Sequence, residues 1–86
     1  MKNYALYFHY NKDDDDAVYL YDTLEEAKTA LFENLNPALY AGGCIVDINF
    51  IIGKDCTDAT IFVKFIDDSR RTTTERTDIR IVRVYD

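Results

Sequence analysis

Thr23-Leu24-Glu25-Glu26-Ala27-Lys28-Thr29-Ala30-Leu31-Phe32-Glu33-Asn34-Leu35 is the one stretch of this chain that reads as a helix, and its place among strand-like runs decides the fold. Thr23 and Glu26 form a capping box, in which the Thr23 hydroxyl satisfies a free backbone N–H and Glu26 reaches back to the cap. Glu25 and Glu26 also suit the positive end of the helix dipole. Leu24, Ala27, Leu31 and Leu35 recur at helical spacing and make one apolar stripe, which Ala30 and Phe32 widen. Pro37 disfavours helical geometry at Asn36, so the helix is expected to stop near there. Residues 38–43 then form a crossing in which Gly42 and Gly43 can turn sharply.

Outward from the helix, the periodicity changes to two. On the N-terminal side, residues 4–10 read as a strand with Tyr4, Leu6, Phe8 and Tyr10 on one face. Residues 11–16 read as a solvated turn, because the adjacent like charges of Asp13, Asp14, Asp15 and Asp16 repel. Residues 17–21 are the returning strand. Pairing Phe8 with Leu20 separates aliphatics (Leu6, Phe8, Val18, Leu20) from polar rings (Tyr7, His9, Tyr19, Tyr21), so that register is expected. On the C-terminal side, residues 44–52, 59–66 and 72–85 are strands, joined by a loop beginning at Gly53 and a polar turn over 67–71. In the last strand Ile79 and Ile81 share a face but Val82 and Val84 share the other. Either both faces are partly covered there, or a β-bulge near Val82 and Arg83 resets the alternation; the bulge is the reading adopted.

The order is ββαβββ. The fold class is α+β, a two-layer arrangement in which one helix packs on one face of an antiparallel β-sheet. Eighty-six residues make one domain, residues 1–86, and bury roughly 60% of the surface that the unfolded chain exposes. The hydrophobic fraction, 48%, argues against disorder, and the seven Tyr and five Phe lean towards β-structure.

Charge excludes some partners. The formal net charge is −6, so direct binding to nucleic acid or to an anionic membrane surface is disfavoured. The distribution is uneven: residues 1–68 carry five Lys and thirteen acids, whereas 69–86 carry five Arg and three acids. The arginines either solvate the outer face of the last strand or let copies of the chain associate, and a homodimer stays open on this ground. No apolar run approaches the roughly 20 residues that span a bilayer. Met1-Lys2-Asn3-Tyr4 leads straight into a strand with no leader-like pattern, so the cytoplasm is the expected compartment.

The residues offer little chemistry. His9 is the sole histidine and sits mid-strand, with no nucleophile brought to it locally. Cys44 and Cys56 are too few for a zinc site or a disulfide scaffold. If Phe50 pairs near Thr60, the two cysteines lie more than about 20 Å apart along the strands, beyond disulfide reach. Cys44 is then expected as a small core residue and Cys56 as an exposed loop thiol. The four consecutive aspartates do not have the alternate carboxylate spacing of a calcium loop, and neither Gly42-Gly43 nor Gly53 fits a phosphate-binding loop. The expectation is a protein that is not an enzyme and uses no cofactor or metal.

That leaves the surface. Tyr7, His9, Tyr19 and Tyr21 would form a ring-rich open face, either as ordinary cross-strand pairs or as an interface. Beside Asp13, Asp14, Asp15 and Asp16, and with Asp67 and Asp68 on the second turn, that face would suit a protein partner with a basic surface. Asp22-Thr23-Leu24-Glu25-Glu26-Ala27, following a two-stranded hairpin, resembles the start of the HicB-type antitoxin domain. That implies an antitoxin-like regulatory partner, although the proline- and glycine-bearing segment of those antitoxins is missing here. In size, acidity and lack of catalytic motifs the chain is similar to the phage-encoded anti-CRISPR proteins. This similarity implies an inhibitor that binds the basic nucleic-acid-binding surface of a host defence effector in the host cytoplasm. A self-associating structural subunit, held by strand pairing, is the alternative from a different class.

Overall fold

The computed structural model describes residues 2–11, 14–37 and 44–84. The elements are β1 (Tyr4–Tyr10), β2 (Asp15–Tyr21), α1 (Leu24–Glu33), β3 (Ile45–Ile52), β4 (Asp58–Ile66) and β5 (Thr72–Arg83). All pairings are antiparallel, and the five strands form one sheet in the order β2-β1-β5-β4-β3. The protein is therefore α+β with the expected order. The N-terminal hairpin joins the C-terminal meander through β1 and β5.

The helix starts as its sequence requires. Thr23 Oγ1 accepts from the Glu26 backbone N–H at 3.2 Å. At the other end the Ala30 carbonyl accepts from both the backbone N–H of Asn34, at 3.2 Å, and its side chain, at 2.8 Å. Ala27, Ala30, Leu31 and Leu35 are buried, but Phe32 is 47% exposed and lies outside the stripe that the spacing predicted for it. The helix packs against β1, β2 and β5. Leu6, Phe8, Ala59, Ile61, Val63 and Ile79 complete the core beneath it.

The β1–β2 register differs from the expected one. Phe8 stands opposite Ala17, and Leu20 opposite Ala5. The turn is shorter than six residues because Asp14 adopts a left-handed conformation (φ 49°), which aspartate tolerates, and Asp15 and Asp16 enter the strand. An odd shift of register exchanges the two faces of β2. Tyr19 and Tyr21 therefore lie on the helix side with Leu6 and Phe8, while Val18 and Leu20 face outward beside Tyr7 and His9. Segregation of aliphatics loses because β2 is an edge strand with little burial at stake: Val18 and Leu20 are 53% and 52% exposed. Ring contacts decide instead. Phe8 meets Tyr19 edge to face at 5.7 Å and stacks with Tyr10 at 6.2 Å.

The bulge also moves. β5 pairs with β1 without interruption from Thr77 to Arg83, and Val82 lies on the open face next to Ala5. The irregularity is in β3, between Ile45 and Asp47. It pushes Val46 outward, 56% exposed, and turns Ile45 towards the core. Cys44, expected in the core, is exposed, whereas Cys56 is half-buried in the β3–β4 turn with φ 59°; both are free. Phe50 stands opposite Ile61, one residue from the expected Thr60.

β5 is the longest strand, and its partners are staggered along it. Residues 72–80 pair with β4, and 77–83 with β1. The two hairpins overlap only over four residues of β5, 77–80, so the molecule is elongated, 50 × 22 × 20 Å. Its radius of gyration is 14.4 Å, against about 12 Å for a compact chain of this length.

Candidate functional site

The open face of the sheet, opposite the helix, collects the polar chemistry. β1 brings Tyr7 and His9 there, β2 brings Asp16, Val18 and Leu20, β5 brings Arg76, Asp78 and Arg80, and β4 brings Thr60 and Phe62. Alternation along each strand does this: residues two apart share a face.

Two linked clusters result. In the first, the His9 imidazole lies with Nδ1 2.6 Å from Asp16 Oδ1 and Nε2 3.8 Å from Asp14 Oδ1. The hydrogen bond to Asp16, helped by the charges of Asp16, Asp14 and Asp78 and opposed by burial, raises the His9 pKa above its ordinary value. The same bond, with a second from Tyr7, holds the Asp16 carboxyl below the usual range. Hydrogen bonding to Asp16 in turn pushes the Tyr7 phenol upward, although Arg80 opposes the shift. The Arg80 guanidinium lies 5.2 Å from the Tyr7 ring centroid.

The second cluster is built on Asp78. Its Oδ1 accepts from Thr60 Oγ1 at 3.0 Å and from Arg76 Nε at 3.1 Å, and its Oδ2 accepts from Asn11 Nδ2 at 3.0 Å. Burial pulls the Asp78 pKa upward, but the hydrogen bonds from Asn11, Thr60 and Arg76 outweigh it and leave the carboxyl below its ordinary value. Arg76 also reaches over the Phe62 ring, 6.0 Å from its centroid. Asp78 thus ties the turn after β1 to β5 and β4. Sequence reading passed over it, although Arg76, Asp78 and Arg80 at alternate positions are a legible signal of three charges on one face.

The expected site residues are only partly together. Tyr7, His9 and Asp16 form one cluster, with Asp14 at the turn and Asp15 at the start of β2 beside it. Tyr19 and Tyr21 are on the opposite face, so the four-ring surface is not formed. Asp13 lies outside the described residues. Asp67 and Asp68 are on the β4–β5 turn, where Asp67 Oδ1 accepts from the Arg71 backbone N–H at 2.8 Å. That turn ends at Thr72, four residues beyond Arg76 and about 13 Å further along β5. Its aspartates are therefore separate from the hairpin tip.

The Asp16–His9 pair has the polarity of a general base, but among the described residues no Ser or Cys side chain is paired with His9. Among the described residues no three His, Cys, Asp or Glu side chains converge as metal ligands would. No helix among them is long and apolar enough to cross a membrane. Beside the acidic tip, Val18 and Leu20 stand exposed on the outermost strand, with Val82 on the same face. Compared with protein-family models, curated proteins and solved structures, the chain matches none of them.

Proposed function

We propose that the protein acts by binding rather than catalysis, docking its β1–β2 hairpin on a basic protein surface of the kind that holds nucleic acid. On this reading it is a stoichiometric inhibitor, and a nucleic-acid-binding defence effector is the partner class it suits best. One observation carries the reading: on the edge strand β2, Asp16 shares a face with the exposed Val18 and Leu20, with Asp15 at the start of the strand and Asp14 just before it. Acidic groups steer a basic surface into place, and apolar side chains beside them supply the buried anchor that charge alone lacks. The anchors differ from those the sequence suggested. Tyr7 keeps its place on the docking face, while Val18 and Leu20 take the role first given to Tyr19 and Tyr21.

The test uses a reconstituted RNA-guided DNA-binding complex and a gel-shift readout. The wild-type protein should displace DNA, with an affinity that falls as salt rises from about 0.05 to about 0.5 M, since exposed charges are screened over that range. The variant Asp14→Asn/Asp15→Asn/Asp16→Asn should bind more weakly and with a flatter salt dependence. Val18→Ser/Leu20→Ser should weaken binding without changing the salt slope. Absence of displacement at any stoichiometry would sink the inhibitor reading. An unchanged salt slope in the triple variant would sink its electrostatic half.

A further inference from the structure

We propose that His9 is a pH-operated latch on the β1–β2 hairpin: its imidazolium holds Asp14 and Asp16 together at the tip, and loss of its proton frees the tip for a basic partner. The latch is a property of the free chain. Its effect on binding rests on the docking role proposed for the hairpin, and the two are tested apart.

The geometry places one imidazole against two acids. His9 and Asp16 stand opposite each other across β1 and β2, with Nδ1 2.6 Å from Asp16 Oδ1. Nε2 lies 3.8 Å from Asp14 Oδ1, at ion-pair distance, in the turn that leads into β2. Both ring nitrogens carry a proton only in the imidazolium, and only then does an N–H face each carboxylate. The neutral ring has one N–H. Whichever nitrogen keeps it, the other turns a lone pair towards a carboxylate. Asp16 also accepts from the Tyr7 hydroxyl, whereas Asp14 has no ion-pair partner but His9 among the described residues. Asp14 is therefore the contact that breaks. Its side chain is 94% exposed, and its backbone is left-handed (φ 49°), a region that non-glycine residues populate sparsely, so the turn opens readily once the side chain is released.

The surroundings of His9 leave the switch to its own proton. β5 sets Asp78 directly opposite it, with Arg76 and Arg80 two residues to either side, and β4 sets Asp58 opposite Arg80. Tyr7 is its neighbour on the same face of β1. Asp16 and Asp78 are held below the ordinary carboxylate range and Tyr7 above the ordinary phenol value, so none of the three changes charge near neutrality. Arg76 is engaged by Asp78, and Arg80 lies over the Tyr7 ring, so neither stands in for the imidazolium at the tip. The hydrogen bond to Asp16, then the charges of Asp16, Asp14 and Asp78, favour the protonated ring. The latch is thus closed at and below about pH 6.5 and opens as pH rises through the folded value. Opening also removes the one cation set against Asp14, Asp15 and Asp16, so the tip becomes more acidic as it is released.

NMR of the free chain from about pH 5.5 to about pH 9 tests the latch. Backbone order at Asp14 and Asp15, read from nitrogen relaxation, should fall as the His9 ring deprotonates, with the same midpoint. His9→Gln, which never carries the charge, should show the low order at every pH. Asp14→Asn keeps the His9–Asp16 pair and should keep a titrating ring while losing the change in order. Circular dichroism of each variant checks that the fold is kept. Order at the tip that ignores the protonation of His9, or a change that persists in His9→Gln, overturns the proposal. Gel shifts at about pH 6 and about pH 8.5 then read the effect on binding: wild type should displace DNA about threefold more tightly at the higher pH, relative to His9→Gln, the size of one exposed charge contact. The same pH dependence in both proteins overturns the link between latch and partner. Absence of displacement at both pH values, with the NMR transition intact, refutes the docking reading and leaves the latch standing.

Discussion

Replacing Asp78 with Ala should cost about 2 kcal/mol of stability at neutral pH, and the cost should shrink in acid. The carboxylate receives hydrogen bonds from Asn11, Thr60 and Arg76, all within 3.1 Å. A hydrogen bond to a charged group contributes about 1.5–3 kcal/mol when well shielded. The Asp78 side chain is 34% exposed, so screening reduces each of the three to well under that range, and roughly 2 kcal/mol remains for the set. The pH dependence has a definite sign. The folded-state pKa of Asp78 lies below its ordinary value, so the charge-dependent part of this stability is fully present above the unfolded value of about 3.9 and is lost as pH falls through the folded value. Urea unfolding of wild type and Asp78→Ala at pH 7, 5, 3.5 and 2.5 measures both quantities. With a slope near 1 kcal/mol/M for a chain this small, the midpoint should drop by about 2 M at pH 7. Asp78→Asn, which keeps an acceptor but no charge, should fall between the two. A difference below about 0.5 kcal/mol at pH 7, or one that is constant from pH 7 to 2.5, would refute the assignment of Asp78 as the tie between β1, β4 and β5.

Three further outcomes follow from the same geometry. Thr23→Ala removes the cap of α1 and should cost about 1 kcal/mol in urea unfolding, with Thr23→Ser close to wild type. The His9 imidazole should titrate above its ordinary value by NMR; since its folded pKa is raised, its contribution is complete below about pH 6.5 and fades as pH rises through the folded value, and Asp16→Asn should bring the titration down. Cys44 should be alkylated rapidly in the native state and Cys56 more slowly, in the reverse of the order that sequence reading suggests; equal rates would contradict the burial difference between them.

The legibility of this chain follows its burial. Where alternation decides which side chains enter the core, as for Leu6 and Phe8 or Ile61 and Val63, spacing alone placed them, because several buried side chains of each strand would be lost by the wrong choice. The Thr23 N-cap set the start of α1 for an equally local reason. The errors are at the margins. β2 and the first residues of β3 are edge segments with few buried side chains, so Asp14's left-handed turn and the bulge at Val46 could set their registers at little cost in burial. The β2 shift moved a whole set of residues across the sheet, which is why Tyr19 and Tyr21 left the candidate site while Val18 and Leu20 entered it, whereas the bulge displaced only the first residues of β3. Asp78 was missed for another reason: its three donors come from the turn after β1, from β4 and from β5, and only the strand order brings them together.

The adjacency of β1 and β5 at the middle of the sheet has a consequence for how the chain is made. Phe8 and Leu6 wait for Ile79 and Ile81, some seventy residues later in synthesis, before their side of the sheet is complete. Until then the first hairpin and α1 can cover each other only in part, and closing so long a loop is slow as well as entropically costly. The nascent chain therefore carries an incomplete core for most of translation, and the core should close late, when β5 slides between two hairpins that have been waiting for it.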